Sequence, residues 1–249
     1  MNENIPLFLI NLDVDTERLS FVREALQSCI GFTVTRVPAI FGKYLPDAAC
    51  IHLAGNQGWA DRKGEIGCFL SHVKVWELAS KLECAFCVVL EDDIRPRALE
   101  RLHKMNLPID FDLIFINDRM SPGSLNDCLE MDVRCLPIDA SLANLNITDR
   151  GVGSDGYLIT PAAARKLLEA TASDLYFGHI DWRLVRYSVT LNFLEENFKD
   201  TRIYHIVINH HNHLIPPVWG ILRSYCLNTP LVSFTYGGPF ASRISGPAA

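Results

Sequence analysis

The chain has 249 residues, with 23 basic and 29 acidic side chains for a net charge of −6. Binding driven by nucleic-acid phosphates draws on an excess of Lys and Arg, so no nucleic-acid partner is expected. At this length a fold buries roughly 70–75% of its unfolded surface, so no disulfide or metal staple is required for a core.

No apolar run approaches the ~18 residues of a membrane span. The N-terminal residues MNEN carry no basic flank, and the apolar stretch 5–10 is short for an export signal. The eight cysteines (29, 50, 68, 84, 87, 128, 135 and 226) are even in number, but several sit in apolar segments. Free thiols in a reducing, cytoplasmic compartment are therefore expected, and the sequon at Asn146 is read as chance.

In chain order, residues 5–10 form a short apolar run of strand length, closed by Asn11. Asp13 and Asp15 offer caps for a helix with Leu19, Val22 and Leu26 on one face. Residues 31–37 suit a second strand, and the following stretch with Gly42, Pro46, Gly55 and Gly58 reads as loop. From Gly64 the residues Ile66, Phe69, Leu70, Val73 and Trp76 follow helical spacing. Residues 84–90 form a buried-type strand, stopped by Glu91, Asp92 and Asp93, with a short helix expected near 98–105. Further strands are expected at 111–116, 156–159 and 202–208. Thr160 and Pro161 are a cap and first-turn proline for a helix over 161–170. Apolar strands alternating with amphipathic helices predict a single α/β domain over 1–235, its sheet covered on both faces. Residues 236–249, rich in Gly, Pro, Ser and Ala, read as a flexible tail.

Three adjacent carboxylates at a strand end repel one another unless a cation sits among them. In open α/β sheets ligands bind outside the carboxyl ends of strands, where Glu91, Asp92 and Asp93 fall. Such oxygen ligands suit Mg²⁺ or Mn²⁺ bridging a diphosphate, although a loop start or helix cap would need the same residues. In residues 64–72 (GEIGCFLSH), Gly64 and Gly67 open the helix and permit close approach to its amide end, a natural phosphate site. Ser71 and His72 follow within two turns, and His72 also suits a plain hydrogen-bonded helix position. Residues 151–156 spell G-x-G-x-x-G, but a strand rather than a helix follows, which excludes the dinucleotide fingerprint. His211 and His213 share one face of an extended segment, so one could complete a carboxylate-held metal site. Cys84 and Cys87 face opposite ways in one strand and fail as a zinc half-site. Asp181, in residues 179–182 (HIDW), is either a helix cap or a general base.

Residues 8–12 (FLINL) with Glu17 and Arg18, residues 64–72, and residues 90–93 (LEDD) together resemble glycosyltransferase family 25. That family comprises bacterial lipopolysaccharide and lipooligosaccharide galactosyltransferases and related collagen-type galactosyltransferases. Residues 153–160 (GSDGYLIT) and 180–182 (IDW) resemble its weaker downstream motifs, so the likeness covers about 5–182. The resemblance implies a GT-A-like (Rossmann-like) mixed, mostly parallel sheet flanked by helices. It also implies a UDP-sugar donor, most often UDP-galactose, with Mn²⁺ (or Mg²⁺) and inversion at the anomeric carbon. On that resemblance Asp93 is a direct metal ligand, with Glu91 beside it, and the strand position of His211 makes it the further ligand. Glu91 and Asp92 contact the donor, and Asn11, Leu12, Arg18, Gly64, Ser71 and His72 line the donor site. Asp181 is the expected base, with Asp155 second. Leu19 stands where relatives often carry a second arginine, and Asp155 replaces a usually small residue. The implied acceptor is a saccharide or glycolipid of lipopolysaccharide or another cell-surface glycan, met at the inner face of the cytoplasmic membrane. The alternative is an inactive relative that binds nucleotide or carbohydrate. A nucleotidyltransferase is excluded by the acidic, glycine-free 11–15 turn.

Overall fold

The computed structural model describes residues 4–54, 62–123, 132–144, 152–173, 179–199 and 218–235. Seven strands form one sheet in the order β2 (Phe32–Pro38), β1 (Ile5–Asn11), β3 (Cys87–Glu91), β7 (Gly156–Ile159), β5 (Leu113–Phe115), β8 (Ser224–Leu227) and β6 (Cys135–Pro137). β1 pairs parallel with β2 and β3, and β5 with β8, whereas β7 runs antiparallel between β3 and β5, and β6 antiparallel to β8. The sheet is therefore mixed, with only β6 and β7 opposing the common direction. Two further strands, β4 (Ile94–Pro96) and β9 (Val232–Phe234), pair antiparallel beside it.

Period-two alternation sorts the strand residues between two cores. Phe8, Ile10, Cys87, Val89, Leu113, Phe115, Tyr157 and Ile159 point to the face covered by α3 (Lys63–Ala79), α5 (Pro161–Ser173) and α6 (Ile180–Ser188). Leu7, Leu9, Val88, Leu90, Ile114 and Leu158 point to the other face, covered by α1 (Thr16–Leu26) and a 3₁₀ turn over Leu99–Lys104. Both faces are thus shielded, as the unbroken apolar runs require. Three more helices, α2 (Asp47–Ala54), α4 (Ile138–Asn144) and α7 (Leu191–Phe198), complete the α-helices among the described residues.

Several expectations are corrected. The segment after β2 is not all loop: it holds a 3₁₀ turn at Gly42–Tyr44 and then α2. β3 begins at Cys87 rather than 84, because only Cys87 onward pairs with β7, while Phe86 packs beside Phe111 at 5.9 Å. Asp15 occupies the α1 N-cap position without a side-chain cap hydrogen bond, and Asp13 pairs with Arg36 instead. Thr160 does cap α5, its Oγ1 accepting the Ala163 N–H at 3.1 Å. The expected strand at 202–208, His211, Asn146 and the 236–249 tail lie outside the described residues. Among those residues the seven cysteines form no disulfide, and no helix is long and apolar enough to cross a membrane.

Candidate active site

The acidic strand end divides between the two faces of the sheet. Asp92 turns toward α1, where Asn11 Nδ2 donates to its Oδ2 at 2.7 Å and Arg18 Nη1 to its Oδ1 at 2.9 Å. Asn11 in turn donates to the Asp15 carbonyl at 3.1 Å and accepts from Arg36 Nε at 2.8 Å. Both amide hydrogens of Asn11 are therefore spent on positioning. Burial raises the Asp92 carboxyl despite these two donors.

Glu91 continues the alternation of β3 and meets α3. His72 Nε2 lies 3.3 Å from Glu91 Oε1, and His72 Nδ1 lies 2.9 Å from the Tyr157 hydroxyl, which is 3.0 Å from Trp76 Nε1. An indole N–H can only donate, so the Tyr157 oxygen accepts from Trp76; with the ionised Glu91 carboxylate taking the Nε2–H of His72, the Tyr157 hydroxyl donates to His72 Nδ1. Burial holds the Tyr157 hydroxyl protonated, well above its ordinary range. Burial alone would raise the Glu91 carboxyl, but His72, Arg119 and Ser154 outweigh it and the group is lowered.

A second acidic group approaches from the segment before β7 and from α6. Asp181 is not a helix cap: its Oδ1 accepts both the backbone N–H of Ser154 at 2.8 Å and the Ser154 hydroxyl at 2.6 Å. The same hydroxyl stands 3.0 Å from Glu91 Oε1. Arg119, on the turn after β5, pairs with Asp155 at 2.8 Å and reaches Asp181 at 3.9 Å, its guanidinium 4.9 Å above the Phe234 ring. Burial opposes the charge on Arg119, but Asp155 and Asp181 outweigh it and hold it cationic. Burial, opposed by Arg119 and assisted by Glu91, pushes Asp155 up to about 6. Asp93 is raised well above the usual range by burial and then by Glu91, Asp155 and Asp92. Among the described residues, Asp93 Oδ1 and Asp155 Oδ2 are buried with no hydrogen-bond partner. Two orphaned carboxylate oxygens in one acidic cluster fit a hard divalent cation, the kind of ion that takes all-oxygen ligands.

A cleft of about 660 Å³, counted out to its mouth, opens at the strand ends. It brings together Asn11, Leu12, Arg18, Gly64, Ser71, Glu91, Asp92 and Asp93. His72 stands behind its wall, fully buried, and Ser71 spends its hydroxyl on the Gly67 carbonyl at 2.7 Å and the Ile40 N–H at 2.8 Å. The close approach expected at Gly67 is made by backbone: a Cβ there would lie 2.5 Å from the Ile40 carbonyl oxygen. Gly153 and Gly156 likewise serve packing, against Arg119 and Val232, and β7 follows them. Arg119 belongs to the site but lies in no motif; Ser154, Tyr157 and Cys68 fall within the motif segments 153–160 and 64–72, where their own roles are not read from sequence. The signal for Cys68 is its place one turn before His72 on α3, and for Ser154 and Tyr157 it is their place in residues 153–160.

The sequence profile of glycosyltransferase family 25 (LPS biosynthesis protein) matches residues 4–178. The chain belongs to glycosyltransferase family 25. A relative, procollagen galactosyltransferase 1-B of Xenopus laevis, is 30% identical over 181 residues, 66% of this chain and 28% of its own length. The family 25 member of Anopheles gambiae is 37% identical over 98 residues, 36% of this chain and 16% of that protein. The inactive family 25 member 3 of Mus musculus is 32% identical over 148 residues, 53% of this chain and 23% of that protein. The chain thus spans under a third of the length of these relatives. Among solved structures, the glycosyltransferase GlyE of Streptococcus pneumoniae matches 95% of this chain and 55% of its own, at a TM-score of 0.39 and 11% identity. An active-site mutant of LgtC matches 98% and 92%, at 0.38 and 13%. Scores this low leave the description of the fold to the chain's own sheet.

Proposed function

We propose that this chain is a GT-A-like, metal-dependent, inverting glycosyltransferase that moves a sugar, galactose first among candidates, from a UDP-sugar to a saccharide acceptor. The observation that carries this reading is the pair of orphaned oxygens, Asp93 Oδ1 and Asp155 Oδ2, in the acidic cluster whose Glu91 and Asp93 line the cleft. Asp93 and Glu91 would hold Mn²⁺ or Mg²⁺, with His211 as a further ligand. When bound, the cation would supply charge neutralisation for a diphosphate leaving group.

The chain's own residues do the rest. Asn11 and Arg18 fix Asp92 at the donor side of the cleft, while Leu12, Gly64 and Ser71 shape its wall and His72 steadies Glu91. Asp181 is the base that takes the acceptor hydroxyl proton, worth about 10²–10⁴-fold. Its side chain is 21% exposed where that of Asp155 is 1%, and Ser154 saturates Oδ1 while Oδ2 faces Arg119 at 3.9 Å, beyond hydrogen-bond reach. The acceptor oxygen bonds to the anomeric carbon as the bond to UDP breaks, so the configuration inverts. The second reading, an inactive family member, gains weight from the inactive mouse relative. The acceptor is a lipopolysaccharide or other cell-surface glycan, reached in the cytoplasm or at the inner face of its membrane.

Turnover of UDP-galactose, UDP-glucose and UDP-N-acetylglucosamine, with Mn²⁺ and saccharide acceptors, tests both readings. Acceptor-dependent release of UDP supports the transferase. Binding of UDP without release, across donors and acceptors, favours the inactive member.

A further inference from the structure

Cys68 and His72 stand at i and i+4 on α3, which places their side chains one above the other on a single helix face. Glu91 meets that face from the end of β3. The Cys68 sulfur, a His72 nitrogen and a Glu91 carboxylate oxygen all lie within 4.8 Å of one another. Thiolate with imidazole selects zinc-like ions, whereas the all-carboxylate set at Asp93 and Asp155 selects hard ions such as Mn²⁺. The geometry points to a second metal site, Cys68–His72–Glu91, that takes Zn²⁺-class ions at the wall of the cleft.

Three protein donors with an open position are a familiar zinc arrangement. Cys68 and Glu91 both line the cleft, so a water or a phosphate oxygen can enter as the fourth ligand from there. The surrounding charge favours a cation: Glu91, Asp181 and Asp93 all act on the Cys68 thiol, and with burial they keep it protonated while the metal is away. Binding must therefore release that thiol proton to solvent as the metal–sulfur bond forms. The ring proton of His72 moves from Nε2 to Nδ1, freeing Nε2 for the metal. Tyr157 then receives donors from both Trp76 and His72, and its own proton loses its acceptor. That loss makes the site weaker than an unencumbered Cys–His–Glu set. Glu91 is common to both metal sites, so Zn²⁺ here draws away a carboxylate of the harder site.

Co²⁺ reports on this site directly, since a thiolate ligand gives cobalt a near-ultraviolet charge-transfer band. Co²⁺ titrated into the full chain should produce the band in wild type and in Cys84→Ser, and Zn²⁺ should bleach it. The band should vanish in both Cys68→Ser and Cys68→Ala. Two such variants guard against a misfolded one, and circular dichroism checks each. No band in wild type, or one that persists in folded Cys68 variants, overturns the site. The readout is independent of turnover, so it stands or falls apart from the transferase reading.

Discussion

Asp181 Oδ1 receives both the backbone N–H and the hydroxyl of Ser154, at 2.8 and 2.6 Å. One carboxylate oxygen is thus saturated, and the other faces Arg119 at 3.9 Å, beyond hydrogen-bond reach. Asp181→Asn should lower turnover at saturating donor by at least about tenfold with little change in KM for the donor. Ser154→Ala should cost less, and nothing further in the Asp181→Asn background. Full activity in Asp181→Asn would remove it as the base.

Much of this site could be read from the sequence because its pieces are local. The acidic triplet sits where an apolar strand stops, and residues 64–72 carry helical spacing together with their glycines. Arg119 could not be found that way. It follows a three-residue strand, and its partner Asp155 lies 36 positions onward, joined only by the antiparallel insertion of β7 between β3 and β5. Tyr157 reads as one more apolar strand residue until Trp76 and His72 are seen opposite its hydroxyl.

Asp155 and Arg119 form a buried pair, so Asp155→Asn leaves a buried guanidinium with only the more distant carboxylates of Asp181 and Glu91 to balance it. Removing one partner of such a pair costs about 3–5 kcal/mol, and the lower end is expected here. The pH dependence has a definite sign. Asp155 titrates at about 6 in the fold and at about 3.9 when unfolded, so between those values the fold holds a proton that the unfolded chain has released. Its contribution is full below about pH 4, falls as the pH rises to about 6, and is flat above. Urea unfolding across that range should show the fall in wild type and its absence in Asp155→Asn.

Tyr157→Phe removes a hydroxyl that accepts from Trp76 and donates to His72. Each buried group left without its partner costs about 1–3 kcal/mol. In a Trp76→Phe background the same change should cost less, because one of those groups is already gone. A double-mutant cycle by urea unfolding measures the difference, and strict additivity would break the relay.

Gly67→Ala places a methyl 2.5 Å from the Ile40 carbonyl oxygen, a backbone atom that cannot swing aside. Overpacking of this kind costs about 1–3 kcal/mol. Ile40 and Gly42 line the cleft, so donor affinity should fall together with the unfolding midpoint. Unchanged UDP binding by calorimetry would separate the 39–42 loop from the site.

The central claim is that the Asp93 cluster holds a divalent cation against a nucleotide diphosphate. Thermal unfolding with UDP, with Mn²⁺ and with both, for wild type and Asp93→Ala, tests it most directly. A ligand at about 100 times its Kd adds roughly 2.7 kcal/mol, a rise in Tm of about 5–10 °C for a chain of this length. The account predicts that rise only when UDP and Mn²⁺ are present together, and its loss in Asp93→Ala. An equal rise with UDP alone, or one that survives in Asp93→Ala, would contradict it.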